Sequence, residues 1–475
     1  MKRSIVIVAA GAGSRIESLR GDVPKPLVRL CGLSLIERSI KSAKRFGYEH
    51  VVIVVGYQAN EIRHALGDGQ KLGVQIEYVH NDEWKKKNGV SLLCAKDKII
   101  GDEFVLLMSD HVLDQAFFTL IDEVELGEDE LVLLTDSKVD QIFDLDDATK
   151  VQIQGDRIQN IGKEIKDYQV IDTGVFIISQ KFFKRLQSLL DKNDDVSLSE
   201  GVHALVQENK ARVKDVGLLW WQDVDTPESY QFAERSLLKK QIKSTDVFVA
   251  KHFNRPISLF FSRYLLRTPL TPNQVTYISL LSGLISPFFL VKGTYFGLML
   301  GTFFYHFASV LDGCDGEVAR LKMMESTGGE WVDTIIDNLT HILFVGGLSY
   351  GLFIYLDRIW PLFLGVISVA SIMAVLWIMF GYIKKKGRGT LLAFDQGFEK
   401  DAKGKSSVWT ELALLLKPLV RRATYAFLFF LLALFGQAKI VLILITVAPV
   451  VTLLLILLSG VKSNNQVVSD SDKVE

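Results

Sequence analysis

The sequence predicts two domains of different class: an α/β domain with a mostly parallel sheet, followed by an all-α domain of six transmembrane helices. In the first half, short apolar runs alternate with segments of helical periodicity, which is typical of a sheet with helices packed on it. In the second half, apolar segments recur at about 20 residues each, the length that crosses a bilayer. We place the domains at residues 1–243 and 273–462, with an amphipathic linker at 244–272 and a polar tail at 463–475.

The net charge and the cysteines indicate which partners and which redox compartment to expect. The formal net charge is −1, so no overall field attracts nucleic acid, and we expect no nucleic-acid partner. The three cysteines, Cys31, Cys94 and Cys314, are scattered and lack metal-ligand spacing. We therefore expect reduced thiols in a cytoplasmic setting.

The first half begins with a buried strand that runs into a glycine-rich turn. Ile5–Ala10 is an unbroken apolar run, and Gly11-Ala12-Gly13-Ser14-Arg15 follows it. Ligand sites of parallel sheets lie at the carboxyl ends of the strands, where backbone N–H groups of such a turn can approach phosphate. The turn is not a dinucleotide fingerprint, because Ile16 stands where a third glycine is required. The other predicted elements are a helix over 33–46 and strands over 51–55, 75–78 and 104–108.

Several charged residues are predicted at the same edge of the sheet. Lys25 stands between two prolines and could neutralise phosphate charge. Asp110 follows a strand directly, and with Asp223 or Asp225 it would make an oxygen-rich site for Mg²⁺. Taken singly, each aspartate is equally well explained as a turn or helix-cap residue, and Lys25 as solvated surface. The interpretation therefore depends on their combination.

In this order and spacing, these motifs and Lys163 resemble the sugar-phosphate nucleotidyltransferase family, whose α/β fold is Rossmann-like. The resemblance implies that a sugar or polyol phosphate attacks the α-phosphorus of a nucleoside triphosphate. It implies that Gly11, Gly13 and Arg15 hold the base and the triphosphate. It implies that Lys25 and Lys163 hold phosphates and that Lys25 also acts in catalysis. It further implies that Asp110, with Asp223 or Asp225, holds one Mg²⁺ or Mn²⁺. The chain departs from the family at Val8 and Ser109, where leucine and glycine are usual, but neither change removes a charge.

A second motif spans residues 312–337: Asp312-x2-Asp315-Gly316-x2-Ala319-Arg320-x8-Gly329-x3-Asp333-x3-Asp337. Positions three or four apart share a helix face, so each pair of aspartates projects from one face of its helix. A turn at Gly328–Gly329 would bring the two pairs together. Carboxylates that converge beside a membrane core require cations, and hard divalent ions also bridge phosphates. The alternative is a polar helical hairpin with solvated charges.

This motif resembles the signature of the CDP-alcohol phosphotransferase family at every position. The resemblance implies transfer of a phosphoryl-alcohol from a CDP-alcohol to a second alcohol, with release of CMP. It implies two Mg²⁺ or Mn²⁺ ions on Asp312, Asp315 and Asp333. Asp333 and Asp337 would be catalytic, with Asp337 acting as a ligand or as the base. Gly316 and Arg320 would lie along the nucleotide.

Six spans are predicted near 274–292, 295–312, 332–356, 359–383, 421–437 and 439–460. The loop between spans four and five is basic, with Lys384–Arg388, Lys400–Lys405 and Arg421–Arg422 in or beside it. The positive-inside rule then predicts a multi-pass protein of the inner membrane, with both termini and the first domain in the cytoplasm. We expect 252–267 to be an amphipathic helix on the bilayer surface. Family resemblance implies a homodimer through the membrane domain.

The two motifs on one chain resemble the family of bifunctional inositol-1-phosphate cytidylyltransferases / di-myo-inositol phosphate phosphate synthases, which make a compatible solute. The resemblance implies that CTP and inositol 1-phosphate give CDP-inositol, which reacts with a second inositol 1-phosphate. No single residue identifies inositol. The alternatives are a phospholipid synthase that uses CDP-diacylglycerol, a first domain without turnover, and a transporter. A transporter would not explain Arg320 or the aspartate spacing.

Overall fold

The computed structural model describes residues 2–386 and 421–458. The chain divides into two compact units, Met1–Lys239 and Lys240–Glu475. The closing helix of the first unit ends at Lys239, four residues before the domain boundary predicted at 243. The basic loop at 387–420, including Arg388, and the tail after 458 lie outside the described residues.

The first unit is built on a nine-stranded sheet in the order β5-β4-β1-β6-β11-β8-β12-β10-β9. The strands are β1 (Ser4–Ala9), β2 (Arg29–Leu30), β3 (Leu33–Ser34), β4 (His50–Val55), β5 (Gln75–His80), β6 (Glu103–Met108), β7 (His111–Leu113), β8 (Leu131–Asp136), β9 (Lys150–Gln154), β10 (Arg157–Gly162), β11 (Val170–Ser179), β12 (Ala211–Asp215) and β13 (Trp221–Asp223). The pairs β2–β3 and β7–β13 form two small antiparallel sheets.

The prediction of a mostly parallel sheet is right for β5, β4, β1 and β6 and for the pair β8–β12, and wrong for the other strand pairs. β5, β4, β1 and β6 are parallel neighbours. β11 lies antiparallel to both β6 and β8, and β9 and β10 form an antiparallel hairpin. The hairpin turn is the two-residue connection Gly155–Asp156, which fixes the antiparallel direction locally.

Helices cover both faces of this sheet, and two apolar clusters fill the space between the layers. They are α1 (Glu17–Arg20), α2 (Leu35–Arg45), α3 (Ala59–Leu66), α4 (Asn88–Cys94), α5 (Phe117–Asp122), α6 (Phe182–Asn193), α7 (Leu198–Val206) and α8 (Pro227–Lys239). Ser34 and Glu37 form a capping box that fixes the start of α2.

The described part of the second unit is helical. Its helices are α9 (Arg255–Leu265), α10 (Pro272–Leu290), α11 (Tyr295–Leu321), α12 (Thr327–Leu356), α13 (Trp360–Lys386), α14 (Arg422–Leu434) and α15 (Ala438–Leu458). Each of the six predicted spans overlaps one of the helices α10–α15. Among the described residues, two stretches are long and apolar enough to cross a membrane by length and composition: Thr327–Leu356 and Trp360–Ile378.

The turn between α11 and α12 lies earlier than the sequence analysis placed it. α11 ends at Leu321, and Gly328 and Gly329 belong to the first turn of α12 instead of to the connection. The reason is a helix cap, because the Ser326 side chain accepts a hydrogen bond from the Gly329 N–H at 3.1 Å. The connection between the helices is therefore 322–326.

Candidate active sites

In the first unit, the glycine-rich turn places a buried lysine. Gly13 has φ 61° and ψ 46°, the left-handed conformation that glycine adopts without strain. The Lys25 side chain packs directly over it, since a Cβ atom on Gly13 would lie 2.6 Å from Lys25 Cβ. Gly11 is exposed, with open space where a side chain would stand. Gly13 thus makes room for Lys25, which is only 7% exposed.

Lys25 joins carboxylates from two distant parts of the sequence. Its Nζ lies 2.6 Å from Asp110 Oδ2 and also pairs with Asp225. Arg15 pairs with Asp225 and with Asp147. Lys163 Nζ lies 2.6 Å from the other oxygen of Asp147. The three cations that the sequence predicts for phosphate binding are therefore held in one network.

The metal-ligand geometry distinguishes Asp223 from Asp225. Antiparallel pairing of β7 with β13 sets His111 opposite Asp223. As a result, ligand atoms of Asp110, His111 and Asp223 lie within 4.8 Å of one another. Asp223 Oδ1 is buried and receives no hydrogen bond from the part of the chain that the structure describes, so this donor set fits a divalent cation. Asp225 is instead occupied by Lys25 and Arg15.

The carboxylates of this cluster differ in their electrostatics. Burial would raise the pKa of Asp110, but Lys25 and His111 outweigh it and hold that pKa well below its usual range. Burial raises the pKa of Asp223, and the charge on Asp110 adds to the rise while His111 opposes it. Burial would lower the pKa of His111, but Asp223 and Asp110 together raise it. A cation among these groups would favour the ionised form of Asp223.

A cavity of about 340 Å³ lies beside the cluster, and two carboxylates that the sequence analysis missed line it. Asp136 Oδ2 accepts from Trp221 Nε1 at 2.9 Å, and its Oδ1 pairs with Lys138 Nζ at 2.7 Å. Asp172 accepts from the Gly174 N–H at 2.7 Å, and burial raises its pKa to about 6. Asp136 ends β8, so its place at a strand's carboxyl end was a signal that sequence reasoning could have used.

In the second unit, three of the four signature aspartates converge. Oxygen atoms of Asp312, Asp315 and Asp333 lie within 4.8 Å of one another. Among the described residues, no group donates a hydrogen bond to the buried Oδ1 atoms of Asp312 and Asp333, which fits hard cations. Asp315 Oδ2 accepts from Thr276 Oγ1 of α10 at 2.6 Å, which fixes its rotamer.

Asp337 lies outside that cluster and pairs with an arginine that the sequence analysis used only for topology. Arg422, at the start of α14, pairs through Nη1 with Asp337 and lies 3.5 Å from Asp312 Oδ1. Its Nη2 lies 3.3 Å from Thr340 Oγ1, and its guanidinium carbon is 5.8 Å from the centroid of the Tyr305 ring. Arg422 and Asp337 are 85 residues apart, so no local pattern could have paired them.

The two residues predicted to lie along the nucleotide are in contact with each other. Gly316 and Arg320 are four residues apart on α11, and a Cβ atom on Gly316 would lie 3.0 Å from Arg320 Nη1. The missing side chain lets the guanidinium lie against the helix.

Comparison with known families gives the class of protein. Residues 4–240 match the family model described as nucleotidyl transferase, and residues 269–454 match the one described as CDP-alcohol phosphatidyltransferase. The chain is thus a nucleotidyltransferase domain joined to a CDP-alcohol phosphotransferase domain, and both are transferase domains.

Similar curated proteins carry the name bifunctional IPC transferase and DIPP synthase. The Thermococcus kodakarensis protein is 36% identical over 73% of this chain and 75% of its own length. The Aquifex aeolicus protein is 32% identical over 74% of this chain and 77% of its own length. This chain belongs to the family of bifunctional IPC transferases and DIPP synthases.

Two further comparisons have limited coverage. The Archaeoglobus fulgidus protein of the same name is 35% identical over 72% of this chain, and the chain spans 64% of its length. A solved structure titled as the inositol-1-phosphate CTP transferase from T. maritima is 29% identical, with a TM-score of 0.44, and covers 49% of this chain and 95% of its own.

Proposed function

We propose that the chain catalyses two successive transfers. In the first, CMP passes from CTP to inositol 1-phosphate, giving CDP-inositol and pyrophosphate. In the second, phosphoinositol passes from CDP-inositol to a second inositol 1-phosphate, giving di-inositol phosphate phosphate and CMP. One observation carries the proposal: each unit holds a carboxylate cluster with ligand atoms within 4.8 Å, and each cluster lies among the motif residues of a different transferase family.

In the first step, a phosphate oxygen of inositol 1-phosphate attacks the α-phosphorus of CTP, and the bond to the β-phosphate breaks. Arg15, Lys25 and Lys163 exchange their carboxylate partners for triphosphate oxygens, so they neutralise the leaving pyrophosphate. Asp110 and Asp223 would hold one Mg²⁺ or Mn²⁺, which supplies further neutralisation of the phosphates. Asp136 and Asp172, in the cavity, would accept hydrogen bonds from the hydroxyls of the polyol.

In the second step, a hydroxyl of the acceptor attacks the phosphorus that carries the inositol, and the bond to CMP breaks. Asp312, Asp315 and Asp333 would hold two divalent ions, which supply charge stabilisation for the diphosphate. We assign the acceptor's proton to Asp337. The position of Asp337 outside the three-carboxylate cluster supports the role of base over that of ligand.

We further propose that α10–α15 cross a bilayer and that the first unit and both termini lie in the cytoplasm. Two helices with transmembrane length and composition support this. So do large apolar side chains exposed on successive helices, including Leu281, Phe288, Phe296, Phe363 and Trp377. The basic residues of the loop between the fourth and fifth helices support the orientation. A homodimer through the membrane domain is proposed from the family alone.

The test is an assay of purified protein in detergent with Mg²⁺ and CTP. Inositol 1-phosphate, glycerol 3-phosphate and phosphocholine are offered separately, and pyrophosphate and the nucleotide product are measured. We expect pyrophosphate and CDP-inositol with inositol 1-phosphate alone. Release with another phosphate would replace the alcohol in the proposal. CMP release from added CDP-diacylglycerol without pyrophosphate release from CTP would support a phospholipid synthase instead.

A further inference from the structure

The segment between the two regions that match family models contacts α11, the helix that carries Arg320 of the signature. Residues 241–268 lie between the matches, which end at 240 and begin at 269. Gln241, only 9% exposed, accepts a hydrogen bond through Oε1 from Arg320 Nε at 2.8 Å. Arg320 is the signature arginine, and its Nη1 lies over Gly316. The guanidinium is therefore held between the helix backbone on one side and Gln241 on the other.

A second cation stands in the same segment, two residues further on. The Lys243 N–H donates to Asp246 Oδ2 at 3.1 Å, the oxygen that also pairs with Arg255 Nε, so the backbone of Lys243 is fixed beside Arg255. Partial burial lowers the pKa of Lys243, the charges of Arg320 and Arg255 lower it further, and Asp246 and Glu325 oppose the fall. Arg255 is neutralised by Asp246, with Nε 2.9 Å from Oδ2, and by Glu317, with Nη1 2.8 Å from Oε1. Like charges that close together repel unless an anion lies between them. Asp246 and Glu325 offset part of the charge on Lys243 and Arg320, and the charge that remains, beside the guanidinium that Gln241 holds, suits this pair to bind an anion.

The segment is fixed to α11 by further polar contacts. Glu317 is fully buried and accepts from Ser258 Oγ and Ser262 Oγ, each at 2.6 Å. Lys322 Nζ donates to the carbonyls of Thr268 at 2.7 Å and Leu270 at 2.8 Å. These contacts tie the segment to the helix that carries Asp312 and Asp315, so Gln241 and Lys243 are held in a defined position relative to them.

We propose that Gln241 and Lys243 belong to the donor site of the second unit: Gln241 positions the Arg320 guanidinium, and Lys243 supplies a further cation for the diphosphate of a CDP-alcohol. The inference rests on the proposed function, because it assigns residues to the site of its second step. It extends that site into the stretch that neither family match covers.

The test measures transfer by the full-length protein in detergent, with CDP-inositol as donor and inositol 1-phosphate as acceptor. CMP release gives kcat and the KM for CDP-inositol, and CDP is added to obtain its inhibition constant. Gln241→Ala and Lys243→Gln are each expected to raise the KM and the CDP inhibition constant about tenfold, the loss expected for one charge-assisted hydrogen bond. The kcat for transfer and pyrophosphate release from CTP should change by less than about threefold.

Lys251→Gln is the matched control, because it removes an exposed lysine from the same segment. It should leave both constants within about twofold of the wild type. If Gln241 and Lys243 have a purely structural role, their substitution would lower kcat or pyrophosphate release without a selective rise in the KM for CDP-inositol. That result would overturn the inference. If Gln241→Ala loses both activities through misfolding, the exposed Lys243 decides: unchanged constants in Lys243→Gln overturn the inference. A wild type that does not transfer from CDP-inositol contradicts the proposed function itself.

Discussion

Lys25 neutralises two carboxylates of the first unit from a position that solvent hardly reaches. Replacing it by alanine leaves Asp110 and Asp225 without their shared cation and removes a positive charge from the triphosphate site. We expect Lys25→Ala to lower pyrophosphate release from CTP by at least about a hundredfold, while CMP release from supplied CDP-inositol is unchanged. Lys44→Ala, at an exposed lysine paired with Glu49, is the control and should leave both activities intact. Normal pyrophosphate release in Lys25→Ala would show that the lysine has no catalytic role.

Asp172 makes stability depend on pH. Its pKa is raised to about 6 by burial, above the value of about 4 in an unfolded chain, so the folded state binds the proton more tightly. The stability from that proton is fully present below about pH 4 and is lost as the pH rises through about 6. Asp172→Asn keeps an acceptor for the Gly174 N–H and cannot ionise. It should therefore raise the unfolding temperature by a few degrees at about pH 8 and have little effect at about pH 4.

Calorimetry of the full chain measures this effect. The transition of the first unit is identified because its unfolding temperature rises when CTP is added. Asp191→Asn, in α6, is the control. It removes a surface carboxylate that accepts a hydrogen bond from an exposed glutamine, Gln187. An unfolding temperature of Asp172→Asn at about pH 8 that is equal to or lower than that of the wild type would contradict the account.

Some site residues could be predicted from sequence, and the reason others could not is physical. Lys25 and Asp110 lie in short motifs where residue type and local position both indicate phosphate or metal chemistry. The choice between Asp223 and Asp225 depends on the register of β7 with β13, which brings together His111 and Asp223, 112 residues apart in sequence. Arg422 reaches Asp337 only through the packing of α14 near α12. Such long-range pairings leave no local pattern in the sequence.

At the scale of elements, α11 and α12 carry the second site. Asp337, the last aspartate of the signature, lies on α12, and its substitution tests what that helix contributes to the reaction. Asp337→Asn removes the proposed base but preserves its shape and its proximity to Arg422. We expect CMP release from CDP-inositol to fall by at least about a hundredfold, with pyrophosphate release unchanged. Full transfer in Asp337→Asn would remove Asp337 as an essential base. Asp333→Asn, within the three-carboxylate cluster, should also abolish transfer and serves as the comparison for loss of a ligand.

The attachment of α9 to α11 depends on one fully buried carboxylate. Glu317 receives two serine hydroxyls and the Arg255 guanidinium. Glu317→Ala leaves the two buried serine hydroxyls and the partly buried Arg255 guanidinium without this acceptor, so we expect the second unit to lose roughly 3 kcal/mol of stability. Thermal unfolding in detergent measures the loss, and Glu330→Ala, at an exposed acid of α12, should cost less than about 0.5 kcal/mol. Equal unfolding temperatures for Glu317→Ala and the wild type would contradict this role.

The helices of the second unit were predictable because their apolar runs are long. The position of the turn between α11 and α12 and the packing of the linker on α11 were not predictable. Local glycines suggested a turn at 328–329, but the Ser326 cap starts α12 before them. The linker was predicted to hold an amphipathic helix over 252–267, and α9 covers Arg255–Leu265, but its Ser258 and Ser262 hydroxyls bind the buried Glu317 of α11. Its polar residues bind a buried partner that the sequence does not place next to them.

At the scale of the whole molecule, the sequence predicts two domains of different class and the structure divides into two units. The alternation of strands and helices correctly predicts an α/β first unit. It does not give the direction of β11, because a strand that enters between β6 and β8 from a distant part of the chain has no local signal of its orientation.

The central claim is that one chain holds two catalytic centres that act in sequence. The most direct test is a time course of pyrophosphate and CMP from CTP and inositol 1-phosphate with a single purified chain. The account predicts that pyrophosphate appears first, that CMP follows, and that the two reach equal amounts while two inositol 1-phosphates are consumed for each CTP. Chelation of divalent ions should stop both products. Pyrophosphate without any CMP, or CMP only from added CDP-alcohol, would contradict the account.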